Sequence, residues 1–201
     1  RRLKKENSIA AIEVHSEMIV FTEKYRKEFN YGYIEKDCQI INEIKVLSYA
    51  NKLNLSIIAD QINDSSFYYK SISLRNAYDI FLLSKKTNAH DAIHKLNKLS
   101  DPLNCYLAVC YEIFNKINSL KYNNNSKKTA SYLKTFNKQF SNPILTRRLH
   151  KLIKIYLLNR WRLNILYKAA TNKEYRTWLF KRISDLNWYK EKLSNLGFKI
   201  S

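Results

Sequence analysis

Two stretches of this sequence hold residue types that can do chemistry. In Ala11-Ile12-Glu13-Val14-His15 the apolar Ile12 and Val14 fall on one side of an extended chain, and Glu13 and His15 on the other. A carboxylate and an imidazole on one strand face can hold a cation or move a proton; the same alternation is also that of the solvated face of an edge strand. Further on, Arg75 and Asp79 stand four residues apart, the spacing that shares a helical face. They are either a pair that positions something in a cleft or a plain ion pair anchoring a bundle. His90 and His94 have the spacing of helical zinc ligands, but no glutamate follows the first and no third ligand is evident, so they read as helix surface.

A different chemistry belongs to the second part of the chain. Residues 1–115 hold 16 Lys and Arg against 14 Asp and Glu, whereas residues 116–201 hold 20 against 3. Nearly all of the net charge of +19 therefore lies after residue 115. Arg147, Lys151, Lys154 and Arg162 share a helical face, with Arg148 beside them, and can attract phosphates. Aromatic residues are interleaved with this charge: Tyr132, Phe136, Trp161, Tyr167, Tyr175, Trp178, Trp188 and Tyr189. Such a mixture grips a phosphate backbone and stacks on bases, or else it is an apolar core beside a solvated basic face.

The elements that must position these residues are mostly helical. Only two glycines and two prolines occur in 201 residues, too few for a turn-rich β architecture. Ser8–His15 is the strand candidate. Residues 33–58 read as one or two helices through Ile34, Ile41, Ile44, Leu47, Leu55 and Ile58. Ser73 caps a helix carrying Leu74, Tyr78, Phe81 and Leu82. Asp101 caps another, with Pro102 at its first position and an apolar face of Leu103, Leu107, Cys110, Tyr111, Phe114 and Ile117. A long helix runs from Ile144 to Ala170, with Leu149, Leu152, Ile153, Tyr156, Leu157 and Trp161 toward a core. Trp178, Phe180, Ile183, Trp188 and Leu193 mark one or two more, ending at Gly197.

The polar stretch Lys121-Tyr122-Asn123-Asn124-Asn125-Ser126-Lys127-Lys128 divides the chain into parts 1–120 and 121–201. Cys38, Cys105 and Cys110 have neither a disulfide framework's even count nor a zinc spacing, and read as reduced thiols. No apolar run reaches the roughly 18 residues of a membrane span. The opening Arg-Arg-Leu-Lys-Lys does not have the pattern of a signal peptide, so the expected compartment is the cytoplasm. The first residue is Arg1 and the only methionine is Met18, the expectation being a piece of something longer.

Together, Ala11-Ile12-Glu13-Val14-His15, the run Asn54-Leu55-Ser56-Ile57-Ile58-Ala59-Asp60-Gln61-Ile62-Asn63-Asp64 and Ser73-Leu74-Arg75-Asn76-Ala77-Tyr78-Asp79-Ile80-Phe81-Leu82-Leu83 resemble the bacterial nucleotidyltransferase-like proteins related to the minimal nucleotidyltransferase and abortive-infection toxin groups. The resemblance covers residues 8–95 and implies a mainly α fold: a helical bundle preceded by one or two strands left from a nucleotidyltransferase palm. It implies transfer of a nucleotidyl group from a Mg²⁺-bound nucleoside triphosphate to an acceptor such as tRNA, with Glu13 as the third metal carboxylate, and His15 beside it, as catalytic residues. The family's Gly-Ser pair and Asp-x-Asp do not occur in these 201 residues, and Ala59 stands where relatives carry a polar residue or histidine. The reading is thus of a C-terminal portion that transfers nucleotides only with a further segment. The alternative is a non-catalytic basic helical module for nucleic acid, another polyanion or an acidic protein. A helical adaptor of a secretion apparatus is a third reading.

Overall fold

A computed structural model describes residues 2–4, 11–13, 18–19 and 23–185, with only the backbone of residues 2–4, 11–13, 23 and 24. The chain divides into two compact units, Arg1–Arg147 and Arg148–Ser201. Its architecture is mainly helical, with one short antiparallel strand pair ahead of the helices and a second after the first two of them.

In the first unit, β1 (Arg2–Lys4) pairs with β2 (Ala11–Glu13), placing Arg2 opposite Glu13 and Leu3 opposite Ile12. The expected strand is therefore present at its centre. Two short helices follow, α1 (Glu23–Arg26) and α2 (Tyr31–Glu35).

The next element corrects the helical reading of residues 33–58. Cys38–Ile41 (β3) and Ile44–Leu47 (β4) form a hairpin in which Ile41 faces Ile44 and Cys38 faces Leu47. Asn42 and Glu43 make its two-residue turn, both with positive φ (49° and 65°), the backbone sense that matches the twist of paired strands. β-branched residues at 40, 41, 44 and 46 favour the pleat. The isoleucine spacing fits a helix, but the local chain preference wins.

Helix α3 (Tyr49–Ile58) starts at Ser48, whose Oγ accepts from the Asn51 N–H at 3.1 Å and donates to Asp37 at 2.8 Å. One residue thus caps the helix and ties the hairpin's base to it. A π-helical turn, Ala59–Asn63, extends α3, marked by the Asp64 N–H reaching the Ala59 carbonyl. Then come α4 (Ser66–Tyr69), α5 (Leu74–Ser84) and α6 (Ala89–His94). Ser73 caps α5 as its sequence predicts, its Oγ accepting from the Asn76 N–H. The buried face of α5 is different from the expected one: Ala77, Ile80 and Ser84 are buried, while Leu74, Tyr78 and Leu82 face solvent.

The centre of the unit is α7 (Ser100–Ile113), in which every residue from Pro102 to Cys110 is buried. It begins two residues earlier than the Asp101–Pro102 signal suggests, with Pro102 still in the first turn, where no N–H is needed. An amphipathic stripe understates it; a helix surrounded by others needs apolar or small side chains all round. Leu53, Ile57 and Ile58 of α3, Ile80 of α5, and Ala92 and Ile93 of α6 share its core. A 3₁₀ turn, Asn118–Leu120, and the 121–126 loop lead to α8 (Lys127–Phe140), capped by Ser126. Tyr132 of α8 packs with Cys105 and Val109 of α7, so the first unit continues beyond the 121–128 stretch.

Helix α9 (Pro143–Thr171) passes from the first unit into the second, and α10 (Lys173–Ile183) follows the Asn172 cap. The predicted inward face of α9 is corrected in part. Leu149, Ile153 and Leu157 are half-buried, but Leu152, Tyr156 and Trp161 are exposed. Apolar residues occupy several sides of this helix, so period alone does not choose which side is covered. Trp188, Tyr189, Leu193 and Gly197 lie outside the described residues. Among the described residues no helix is long and apolar enough to cross a membrane.

Candidate functional site

Glu13 is the last residue of β2, in register with Arg2. His15 lies outside the described residues, and of the Glu13 side chain only its place on the strand is known. Arg75 and Asp79 both occupy the exposed side of α5, and no ion pair joins them. Of the two readings of this pair, the helix-surface bridge is not formed; the residues stand open beside Leu74, Tyr78 and Leu82.

The polar centre that sequence reasoning missed lies at the π turn. Asp60, 5% exposed, accepts from Ser66 Oγ at 2.8 Å and from Gln61 Nε2 at 3.5 Å. The backbone N–H of Ser73 also bonds to it. Three segments, the π turn, α4 and the start of α5, are thereby clasped on one carboxyl. Burial pushes its pKa above the ordinary carboxylate value, with Ser66, Gln61 and Ser73 pulling it back and Asp64 adding to the rise. Gln61 in turn accepts from the Tyr132 hydroxyl at 3.4 Å, which links the clasp to α8. π turns concentrate at functional places, and no sequence signal marks them.

Around the clasp, burial raises the phenol of Tyr106 and the thiol of Cys110, with Cys110 and Asp60 adding in the first case and Asp60 in the second. Cys105 is raised by burial too, against the lowering pull of Thr129 and Lys70. Such thiols are poor nucleophiles, in keeping with three unbridged cysteines. Lys70, in the left-handed region at φ 53°, donates to the Phe67 carbonyl at 2.7 Å, and its Nζ sits 4.3 Å and 4.4 Å from the Phe67 and Tyr132 ring centres. Burial lowers its pKa, opposed by Cys105. The cluster can hold a proton and fix helices, but Asp60 has almost no contact with solvent.

The basic residues present a different picture. Arg147, Arg148, Lys151 and Lys154 are all exposed on α9, a helix with seven Lys and Arg and no Asp or Glu. Of the interleaved aromatics, Tyr132 is buried against Phe67 and Phe136 is half-buried, so both are core. Trp161, Tyr167 and Trp178 are exposed, and Tyr175 leans on Trp178 with ring centres 5.2 Å apart.

His90 and His94 stand edge to face on α6, 5.4 Å between ring centres, and His90 Nδ1 is 3.4 Å from Asp91. Among the described residues no group of three or more His, Cys, Asp and Glu could hold a metal. Mg²⁺ wants an octahedron of oxygens, and Glu13 offers one carboxylate. The described residues therefore do not fit a magnesium site on their own. Set against known proteins, the chain matches no family model, and no curated protein or solved structure is significantly similar to it.

Proposed function

We propose that this chain is the helical C-terminal part of a nucleotidyltransferase-like protein, acting on a nucleoside triphosphate only together with a segment that supplies Gly-Ser and Asp-x-Asp. What supports the reading is the placement of its motif residues. Glu13 ends a strand of an antiparallel pair, a helical body follows, and Arg75 and Asp79, with no ion pair among the described residues, stand on the exposed side of the helix that the Asp60 clasp sets in place. Glu13 would then be one carboxylate of a cation site completed by the other segment. In the protein carrying both segments, labelled nucleotide should pass to an acceptor, tRNA being the first to try. Glu13→Gln should cut that transfer by roughly 100-fold or more. Transfer at the original rate in Glu13→Gln would remove this reading.

A second reading, a non-catalytic module that binds nucleic acid through α9, is favoured by the seven basic residues and exposed Trp161 and Tyr167 of that helix. Its test needs only this chain. Changing Arg147, Arg148, Lys151 and Lys154 together to Glu should abolish binding to a single-stranded RNA at low salt. In the unaltered chain the logarithm of affinity should fall with the logarithm of salt by roughly 0.7 per phosphate contacted. An RNA affinity unmoved by the four reversals would reject this patch.

A further inference from the structure

An open groove of about 790 Å³ lies in the first unit, between the end of α5, the start of α6 and the 118–122 segment. Lys85, Lys86, Lys121 and His90 line it, and no carboxylate does. Among the described residues none of the three lysines forms an ion pair, although Lys85 rests its Nζ 4.3 Å over the Phe81 ring. Asp91, which follows the lining residue His90 in the chain, is turned to that ring, 3.4 Å from its Nδ1. In part the helix explains Lys85 and Lys86, because cations at the last turn of α5 answer its terminal carbonyls. It does not explain Lys121, which arrives from 35 residues further along the chain to face them.

The walls are fixed before any ligand comes. Ser84 Oγ and Ser119 Oγ are 2.9 Å apart, joining the end of α5 to the 3₁₀ turn. Asn104, buried in α7, accepts from the Asn123 N–H at 2.7 Å and donates to the Asn123 carbonyl at 3.0 Å, which holds the strand of loop that carries Lys121 and Tyr122. Tyr122 is set by an edge contact with Tyr111, 5.5 Å between ring centres. Three lysines on one groove with no acidic lining residue give it a positive potential, which an anion there answers.

We infer that this groove is a binding site for phosphate groups, those of a nucleotide or of an inorganic polyphosphate. Thr87, Asn88 and Asn118 add polar side chains to its lining, and the lysines supply point charges, the manner in which ammonium groups hold phosphate. The half-buried ring of Tyr122 offers a base a surface on which to stack. The inference needs neither Glu13 nor the basic face of α9.

Calorimetric titration of the chain with tripolyphosphate, ATP and adenosine at low salt tests it. Tripolyphosphate and ATP should bind saturably and adenosine far more weakly. Equal affinities for the first two assign recognition to phosphate alone, while tighter ATP adds the base; either outcome supports the site. Lys86→Glu combined with Lys121→Glu should weaken both by roughly tenfold or more, with thermal unfolding unchanged because both residues are exposed. Lys134→Glu combined with Lys138→Glu, two exposed lysines of α8, should leave them within about twofold. No saturation by about 5 mM, adenosine binding as tightly as ATP, or a loss as large in the α8 variant as in the groove variant would overturn the inference.

Discussion

Leu107→Ala should destabilise the first unit by about 2–5 kcal/mol, one of the largest effects a single truncation in this chain can have. Leu107 is fully buried at the middle of α7, and its helix is covered by α3, α4, α6 and α8. Removing three carbons there loses their transfer free energy and leaves a cavity that four packed neighbours cannot all collapse to fill. At roughly 2–4 °C per kcal/mol for a unit of this size, the melting temperature should fall by about 10 °C. Leu152→Ala on α9 is the matched control. That side chain is 64% exposed, so its loss should change stability by less than about 0.5 kcal/mol. Denaturant unfolding of the two variants checks both figures. Equal losses would mean that Leu152 is covered and Leu107 is not the keystone that its burial makes it.

The contrast between these two leucines also marks where the sequence could and could not be read. Both occupy positions spaced three and four from other apolar residues, and period assigned both to a core. For α7 the assignment held from Leu103 to Phe114, though Ile117 lies past the helix and is exposed; polar residues are few there and Asn104, the main exception, is buried with its amide used on Asn123 and Thr129. For α9 it did not, because Leu, Ile, Tyr and Trp occur at almost every angle of that helix and a moment so weakly directed cannot say which side meets a neighbour. The Ser73 cap was legible, its Oγ accepting the Asn76 N–H; Asp101 lies inside α7 and does not cap it, and Asn172, which accepts the Tyr175 N–H, went unread. The β3–β4 hairpin was hidden because its turn is Asn42-Glu43 rather than Asn-Gly, and because isoleucines at 34, 41 and 44 also satisfy a helix.

The candidate sites divide in the same way. Charge is additive along a chain, so the basic face of α9 could be read from composition and spacing alone. The lysine groove brings Lys85 and Lys86 to Lys121, and the clasp brings Asp60 to Ser73 and, through Gln61, to Tyr132. No local pattern encodes either, since both depend on where α5, α7 and α8 come to rest. The resemblance did single out Asp60-Gln61, but as part of a motif; that the two form a π turn whose carboxyl ties three segments together is a property of the fold.

Asp60→Asn should gain stability relative to the unaltered chain as pH rises from about 3.5 to neutrality. Burial is the largest influence on this carboxyl and raises its pKa in the folded state, more than its bonds to Ser66, Gln61 and Ser73 lower it. Below the ordinary carboxylate range both the folded and the unfolded chain carry the proton, and Asp60 brings no pH dependence. As pH climbs through that range the unfolded chain ionises first while the folded one still holds its proton. The folded state binds more protons there, so stability declines with rising pH until the raised folded pKa is passed, and then levels off. Asparagine cannot titrate. It loses one acceptor of the clasp, an offset that is the same at every pH, but not the decline. The difference in unfolding free energy between Asp60→Asn and the unaltered chain should therefore climb with pH and reach a plateau. Ser66→Ala provides the second arm, since it deletes a bond that favours the ionised form. It should extend the decline of the unaltered aspartate to higher pH. Urea unfolding across this pH range measures all three. A flat difference, or one that turns against asparagine as pH rises, would mean that the three hydrogen bonds outweigh burial and that the clasp holds a carboxylate rather than a proton.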